Sequence, residues 1–431
     1  MPTIAKVRQE AQVASAQLEE EYGPHTREEA AEIAALDAEE LNEPPAVGCA
    51  RSSVAAENGH GSVVELLLAK DNLDADSNGR LYNHHTPLSR AATNGHEGIV
   101  KLLLAREDVD PDSLDNFRRT PLFHAARKGH STVAELILAT GRVGVGSLDE
   151  FGQAPLSIAS ENGHEAVVRL LLATNVINPD SQTSYGRTPL WWAARNGNDA
   201  VVAILLATTG VAPDSKDKYG QTPLSIAAEN GHRKVVKLLL AEDAVDPNSR
   251  DKYGWTPLSR AVANRKKVVM RLLLERGAID PNFKDSYGSI WLDAAVMRRR
   301  ERVCSREAAA CEECQIAQML IQKDANVNIQ DGRYGNALQA ASAGGHLEIA
   351  QMLILNDADI NAQGGEYGNA LQAALARGHL EIAQMLIQKD ANVNIQDGRY
   401  GNALQAASAG GHLEIAQMLI LKDADINAQG G

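Results

Sequence analysis

The sequence predicts an all-α fold in which short helix pairs stack one on the next, with hairpin fingers between them. Two observations carry that expectation. Segments of the type Thr222-Pro-Leu-Ser-Ile-Ala-Ala-Glu-Asn-Gly-His232 begin at Thr86, Thr120, Ala154, Thr188, Thr222 and Thr256, an interval of 34 residues. Further along, Gly-Asn-Ala-Leu-Gln-Ala-Ala recurs with its asparagine at Asn336, Asn369 and Asn402, an interval of 33 residues. A copy this short cannot bury an apolar face alone, so its neighbours must supply the core.

A period of 33 or 34 with T-P-L-x-x-A-A-x-x-G-H resembles the ankyrin repeat. The resemblance implies an ankyrin solenoid, with a β-hairpin finger and two antiparallel helices per repeat. Eleven repeats are expected, starting near residues 50, 86, 120, 154, 188, 222, 256, 290, 336, 369 and 402, the one at 290 being interrupted.

Residues 1–49 precede the repeats. Ile4, Val7, Ala11, Ala14 and Leu18 fall at heptad spacing, giving a weakly amphipathic helix that Gly23-Pro24 ends. Thr26-x-x-Glu29 is a capping box for a second helix, which stops before Pro44-Pro45. Residues 1–50 hold three Lys/Arg and eleven Asp/Glu. The segment reads first as an acidic, partly disordered arm and second as a docking helix pair.

Residues 50–289 form a first array, opening on a degraded copy in which Ala50-Arg51-Ser52 stands for T-P-L. The pattern has a physical logic. Proline in the first helical turn has no donor to lose, and paired alanines let helices approach closely. The glycine of Gly-His permits a left-handed turn. Val-Val and Leu-Leu-Leu fill the interface between repeats, and Asp-x-Tyr-Gly turns the finger.

Residues 290–335 are an interrupted repeat: its first helix, Trp291–Ala295, runs into the Arg298–Arg302 cluster, and its second helix resumes at Ile316. The insertion reads as a hinge or an extended helix pair. Residues 336–431 form a second array. Residues 316–365 match 382–431 at 49 of 50 positions, Asn356 against Lys422 being the exception, which points to a recent duplication. The last copy would leave parts of Ile415, Met418 and Leu419 uncovered, so an end-to-end contact, a partner or further repeats are expected there.

Both block styles resemble ankyrin arrays of filamentous fungi, the first through D-P-D-S-x-D-x-Y-G-x-T-P-L-S-x-A-A-E-N-G-H and the second through N-A-L-Q-A-A-S-A-G-G-H-L-E-I-A-Q-M-L-I. In such relatives the array often follows a NACHT-type NTPase, nucleoside phosphorylase or lipase-like domain. The resemblance therefore implies an alternative role as the recognition arm of a larger signalling protein, although only about 50 residues precede the repeats here.

No phosphate loop, G-x-S-x-G elbow or H-E-x-x-H pair occurs, so neither an enzyme nor a cofactor is expected. Eight histidines (His60, His96, His130, His164, His232, His346, His379 and His412) share one slot and read as architectural. His84-His85 reads as an exposed loop. Cys311-x-x-Cys314 has zinc-like spacing, but a structural zinc needs four ligands and only Cys304 and the distant Cys49 remain, so no metal is expected. Four cysteines in 431 residues indicate a reducing compartment. With no leader-like segment and no run of roughly 20 apolar residues, a soluble cytoplasmic protein is expected. The Arg298–Arg302 cluster reads as a solvated loop, or alternatively as a nuclear import signal. Of the net charge of −14, the first 50 residues carry −8 (three minus eleven), leaving −6 for the rest. That balance points away from nucleic acid, and the apolar pattern points away from membranes.

The resemblance implies that the finger tips and the exposed side of each first helix bind a protein. The matching tip residues include Phe117, Arg119, Tyr185, Arg187, Tyr219, Lys252, Tyr253 and Trp255, and the helix positions include Arg127, Lys128 and Arg195. Aromatic residues interleaved with Arg and Lys have the composition of an interface. The competing reading is that the recurring rings, with Phe151 among them, pack against the next finger. Trp192 is expected in the core. The second array offers only Ala343, Gly344, Ala376, Arg377, Ala409 and Gly410 on its helix face, so the first array is the better candidate for a partner.

Overall fold

A computed structural model describes residues 46–69, 85–276, 282, 312–330 and 334–427. The expected helices before Pro45, the Trp291–Ala295 helix, the Arg298–Arg302 cluster, His84, Cys304 and Cys311 lie outside them. The chain divides into two compact units, residues 1–184 with 208–210, and residues 185–207 with 211–431.

In the first unit the helices pair as α1 (Ala46–Asn58) with α2 (Gly61–Leu68), α3 (Pro87–Asn94) with α4 (Glu97–Leu104), α5 (Pro121–Lys128) with α6 (Ser131–Ala139), and α7 (Pro155–Asn162) with α8 (Glu165–Ala173). The T-P-L motif starts these helices for a visible reason. The Thr86 and Thr120 hydroxyls accept the N–H groups of Ser89 and Phe123, capping a donor that the helix leaves unpaired. Ala154 holds the same place before α7 and makes no such bond. Each first helix stops at a left-handed glycine. Gly129 has φ 82°, and a Cβ there would lie 2.5 Å from Nδ1 of His164. The eight-fold histidine slot is thus structural: the His96, His130 and His164 Nε2 groups lie 2.9, 3.1 and 3.0 Å from the carbonyls of Glu57, Thr93 and Arg127 in the preceding repeat.

The second unit contains α9 (Pro189–Asn196) with α10 (Asp199–Leu206), α11 (Pro223–Asn230) with α12 (Arg233–Ala241), and α13 (Pro257–Ala263) with α14 (Lys267–Glu275). Next among the described residues comes α15 (Glu312–Ile321). The unit continues with α16 (Ala337–Gly344) and α17 (Leu347–Leu355), α18 (Ala370–Arg377) and α19 (Leu380–Gln388), and α20 (Ala403–Ala409) and α21 (Leu413–Leu421). Despite the insertion, α15 follows α14 in the stack: the Lys267 ammonium donates to Gln315 Oε1 at 3.0 Å, and Asn282 Nδ2 to the Asp324 carbonyl at 3.3 Å. Cys314 is buried at the start of α15.

The core in both units is a column of Leu, Val and Ala. Leu122, Ala125 and Ala126 of α5, and Leu338, Ala340 and Ala341 of α16, are fully buried. Truncating Leu122 to alanine would cost about 2–5 kcal/mol. Both tryptophans of α9 are core residues, Trp191 even more completely than Trp192, and their rings meet edge to face at 5.1 Å.

One feature departs from expectation. The fingers are hydrogen-bonded turns rather than β-hairpins, and one bridge, Gly364 to Gly368, is the sole strand-type pairing among the described residues. The cause is the finger aspartate. In the Asp149 finger two N–H to O=C bonds close the turn, Asp149 to Gln153 and Gly152 to Asp149, both at 3.0 Å. The carboxylate then takes the N–H groups of Phe151 and Gln153 at 2.9 and 2.8 Å, leaving none for a strand ladder. In the second array the asparagine of its own motif stands in place of Thr before α16, α18 and α20. There Asn336, Asn369 and Asn402 make complete capping boxes with Gln339, Gln372 and Gln405.

Candidate functional site

The candidate site is the finger edge of the first array. Four of the fingers are organised by an aspartate whose Oδ1 accepts two backbone N–H groups, while the Tyr185 finger has Thr183 at that place. Asp115 takes those of Phe117 and Arg119, both at 2.8 Å. Asp217 takes those of Tyr219 and Gln221 at 2.8 and 2.9 Å, and Asp251 those of Tyr253 and Trp255 at 2.8 and 2.9 Å.

Neighbouring fingers are joined through the backbone of the aromatic residue. In the first unit the Phe117 carbonyl accepts the Glu150 N–H and the Phe151 carbonyl the Ser184 N–H, each at 3.0 Å. In the second unit the Tyr185 and Tyr219 carbonyls accept the N–H groups of Lys218 and Lys252 at 2.8 and 2.9 Å. Because main-chain bonds carry the stacking, the rings keep much of their surface in solvent: 49 % for Tyr185, 42 % for Tyr219 and 47 % for Tyr253. Lys218 and Lys252 are exposed beside them.

The cationic tip residues have a different position. Arg119 is largely buried, with its Nε 3.6 Å from the Asp149 carboxylate and its guanidinium 4.8 and 5.5 Å from the Phe117 and Phe123 rings. Arg187 repeats this in the second unit, 3.6 Å from Asp217 and 4.3 Å above Trp191. These two arginines brace the fingers, whereas Arg127, Lys128 and Arg195 stand exposed at the ends of their helices. Arg195 also lies 5.3 Å from the Trp192 ring. Trp255 occupies the same register as Arg119 and Arg187 and is half-buried, with the Arg260 guanidinium 5.5 Å from its ring.

Other functional side chains escaped the sequence reading. Arg260 bridges repeats, donating to Glu229 at 2.8 Å and pairing with the fully buried Asp251 carboxylate. Gln221 also reaches Glu229, at 3.2 Å. In the second array the buried Gln339 and Gln372 extend from their capping boxes to carbonyls of the following finger. Their signal in the sequence was a glutamine recurring at one place in an otherwise alanine-rich helix. The tyrosines of that array turn inward. Tyr367 is buried, stacked 6.2 Å from Tyr334 and bonded through its hydroxyl to Arg377 Nε at 3.0 Å.

His85 corrects the expectation of an exposed loop. It is half-buried against Asp115 and His124, a grouping with the spacing of metal ligands. The two histidines are 39 residues apart in sequence (124 − 85), too far for spacing to reveal the pair.

Among the described residues no helix is long and apolar enough to cross a membrane. A family model described as ankyrin repeats in three copies matches residues 52–145, 140–217, 202–285, 307–397 and 339–430. No curated protein matches the chain. With matched segments spanning most of its length and the capped helix pairs, left-handed glycines and stacked fingers that such repeats require, the chain belongs to the ankyrin repeat family.

Proposed function

We propose that the chain is a non-enzymatic interaction scaffold whose working surface is the finger row Tyr185, Tyr219 and Tyr253 of the second unit. Ankyrin repeats generally mediate protein–protein interaction, and one observation supports this particular surface. Backbone bonds join these fingers, with the buried Asp217 and Asp251 organising two of them, and the three tyrosines are about half exposed at successive fingers. Tyrosine offers a large contact area with few rotamers to freeze, which suits an interface centre. With Lys218 and Lys252 alongside, the row fits a partner segment carrying apolar groups between acidic ones. In the first unit Arg127 and Lys128 are exposed at the end of α5 and offer a smaller basic surface.

The test is affinity capture with the intact chain and with a Tyr219→Ala/Tyr253→Ala variant. A partner held by the intact chain and lost by the variant, with unchanged helical circular dichroism, supports the row. Equal capture by both would reject it.

A further inference from the structure

In this array a buried finger aspartate normally faces one guanidinium. Asp149 faces Arg119, Asp217 faces Arg187, and Asp251 faces Arg260. Asp115 faces two imidazoles instead. His85 holds the register of Arg119 and Arg187, and His124 the register of Arg260. His124 Nε2 lies 3.1 Å from Asp115 Oδ2 and His85 Nε2 lies 3.9 Å from the same oxygen, while the ring centroids are 4.8 Å apart. One ligand atom from each of the three residues lies within 4.8 Å of the other two.

We propose that His85, His124 and Asp115 form a binding site for a divalent transition-metal ion of the zinc class. Four-coordinate zinc with bonds of about 2.0 Å separates its ligand atoms by about 3.3 Å, and the separations of 3.1 and 3.9 Å around Asp115 Oδ2 bracket that value. The carboxylate is oriented in advance. Its Oδ1 is fixed by the Phe117 and Arg119 N–H groups, which leaves Oδ2 for the imidazoles.

The neighbouring cations do not forbid a metal. Arg90 is paired with Glu57 and Arg119 with Asp149, which leaves the Asp115 charge to face the ion. Asp115 and His124 are buried, while His85 reaches solvent and leaves a path for a water as fourth ligand.

The full chain, freed of metal, would be titrated with Co2+ and then Zn2+. The expected result is one equivalent of Co2+ showing the visible absorption of a four-coordinate nitrogen and oxygen site, without thiolate charge transfer, and displaced by Zn2+. His85→Arg and His124→Ile should each abolish that absorption. Both install residues the next repeat already carries at the same places, Arg119 and Ile158, so thermal melting of the metal-free variants would confirm folding. Absent uptake by the intact chain would overturn the proposal. So would a thiolate spectrum in place of the expected one, or uptake unchanged in His85→Arg.

Discussion

Replacing Gln339 by leucine removes the bonds that join one repeat of the second array to the next, together with one bond of the Asn336 capping box. The side chain is 1 % exposed. Its Oε1 accepts the Asn336 N–H at 2.6 Å, and its Nε2 donates to the carbonyls of Ala362 at 3.1 Å, Gly364 at 3.2 Å and Gly368 at 2.9 Å. Leucine has nearly the same volume, so the cavity contribution is small. What is lost is pairing. The Asn336 N–H sits on a fully buried residue and loses its acceptor, and the Ala362 carbonyl loses a donor. The Gly368 carbonyl keeps the Gly364 N–H at 2.8 Å. Two stranded groups at about 1–3 kcal/mol each, less about 1 kcal/mol for the added apolar surface, give a loss of about 3 kcal/mol. In a repeat array that loss is felt locally. Hydrogen exchange of the full chain, followed by mass spectrometry, should show the amides of α16 and the following finger exchanging about 100-fold faster. Gln388→Leu, an exposed position on α19, is the control. An acceleration below about threefold, or an equal one in the control, would refute the inter-repeat role of Gln339.

Three further substitutions test the repeat logic. Ala154→Thr restores the cap that Thr120 and Thr188 make, and should stabilise the fold by about 1 kcal/mol in urea unfolding. Arg265 adopts φ 57° where Gly231 stands one repeat earlier, so Arg265→Gly should raise stability by about 1 kcal/mol, read from the same transition. Asp214 has its pKa raised to about 6 by burial and by Asp246. With the folded value above the unfolded one, its stabilising effect is full below about pH 3.8 and fades as pH rises through 6. Asp214→Asn, the residue Asn248 supplies one repeat later, should therefore stabilise at pH 7 by a few tenths to about 1 kcal/mol after allowance for solvent screening, and by nothing near pH 3.5. Melting temperatures at the two pH values check this.

The helix pairs were legible because their signals are local: a capping threonine, a proline with no donor to lose, and a glycine whose left-handed backbone admits no other residue cheaply. The position of the tip arginines was not legible. Arg119 and Arg187 look like the exposed basic residues of an interface, yet each meets an aspartate about 30 residues later (149 − 119 and 217 − 187), a pairing that only the stacking of repeats creates. The aromatic tips were equally ambiguous, since a recurring ring suits both packing and presentation. The carbonyls of Tyr185 and Tyr219 bond the next finger, a main-chain contact that no sequence pattern announces. His85 and His124 show the limit from the other side, because neither residue carries a local sign of the other.

The two arrays meet the same requirement, a finger fastened to its neighbour, with different chemistry, and this determines what each surface can do. In the first array the aspartate satisfies the finger's N–H groups through one oxygen and takes a cation on the other. The Tyr219 side chain is therefore outside every fold-holding bond described at that finger. Such a position can change without unravelling the repeat, which is the condition for evolving a partner-specific tip. In the second array a buried helix glutamine adds its own bonds to the following finger beside the finger aspartate Asp397, and Tyr367 folds back into the stack against Tyr334 and Arg377. The ring that could have been presented is consumed by packing. The near-identity of the duplicated copies fits that division: the second array repeats one structural solution, while the first varies its tips from Asn116-Phe117 to Glu150-Phe151, Lys218-Tyr219 and Lys252-Tyr253 on a constant frame.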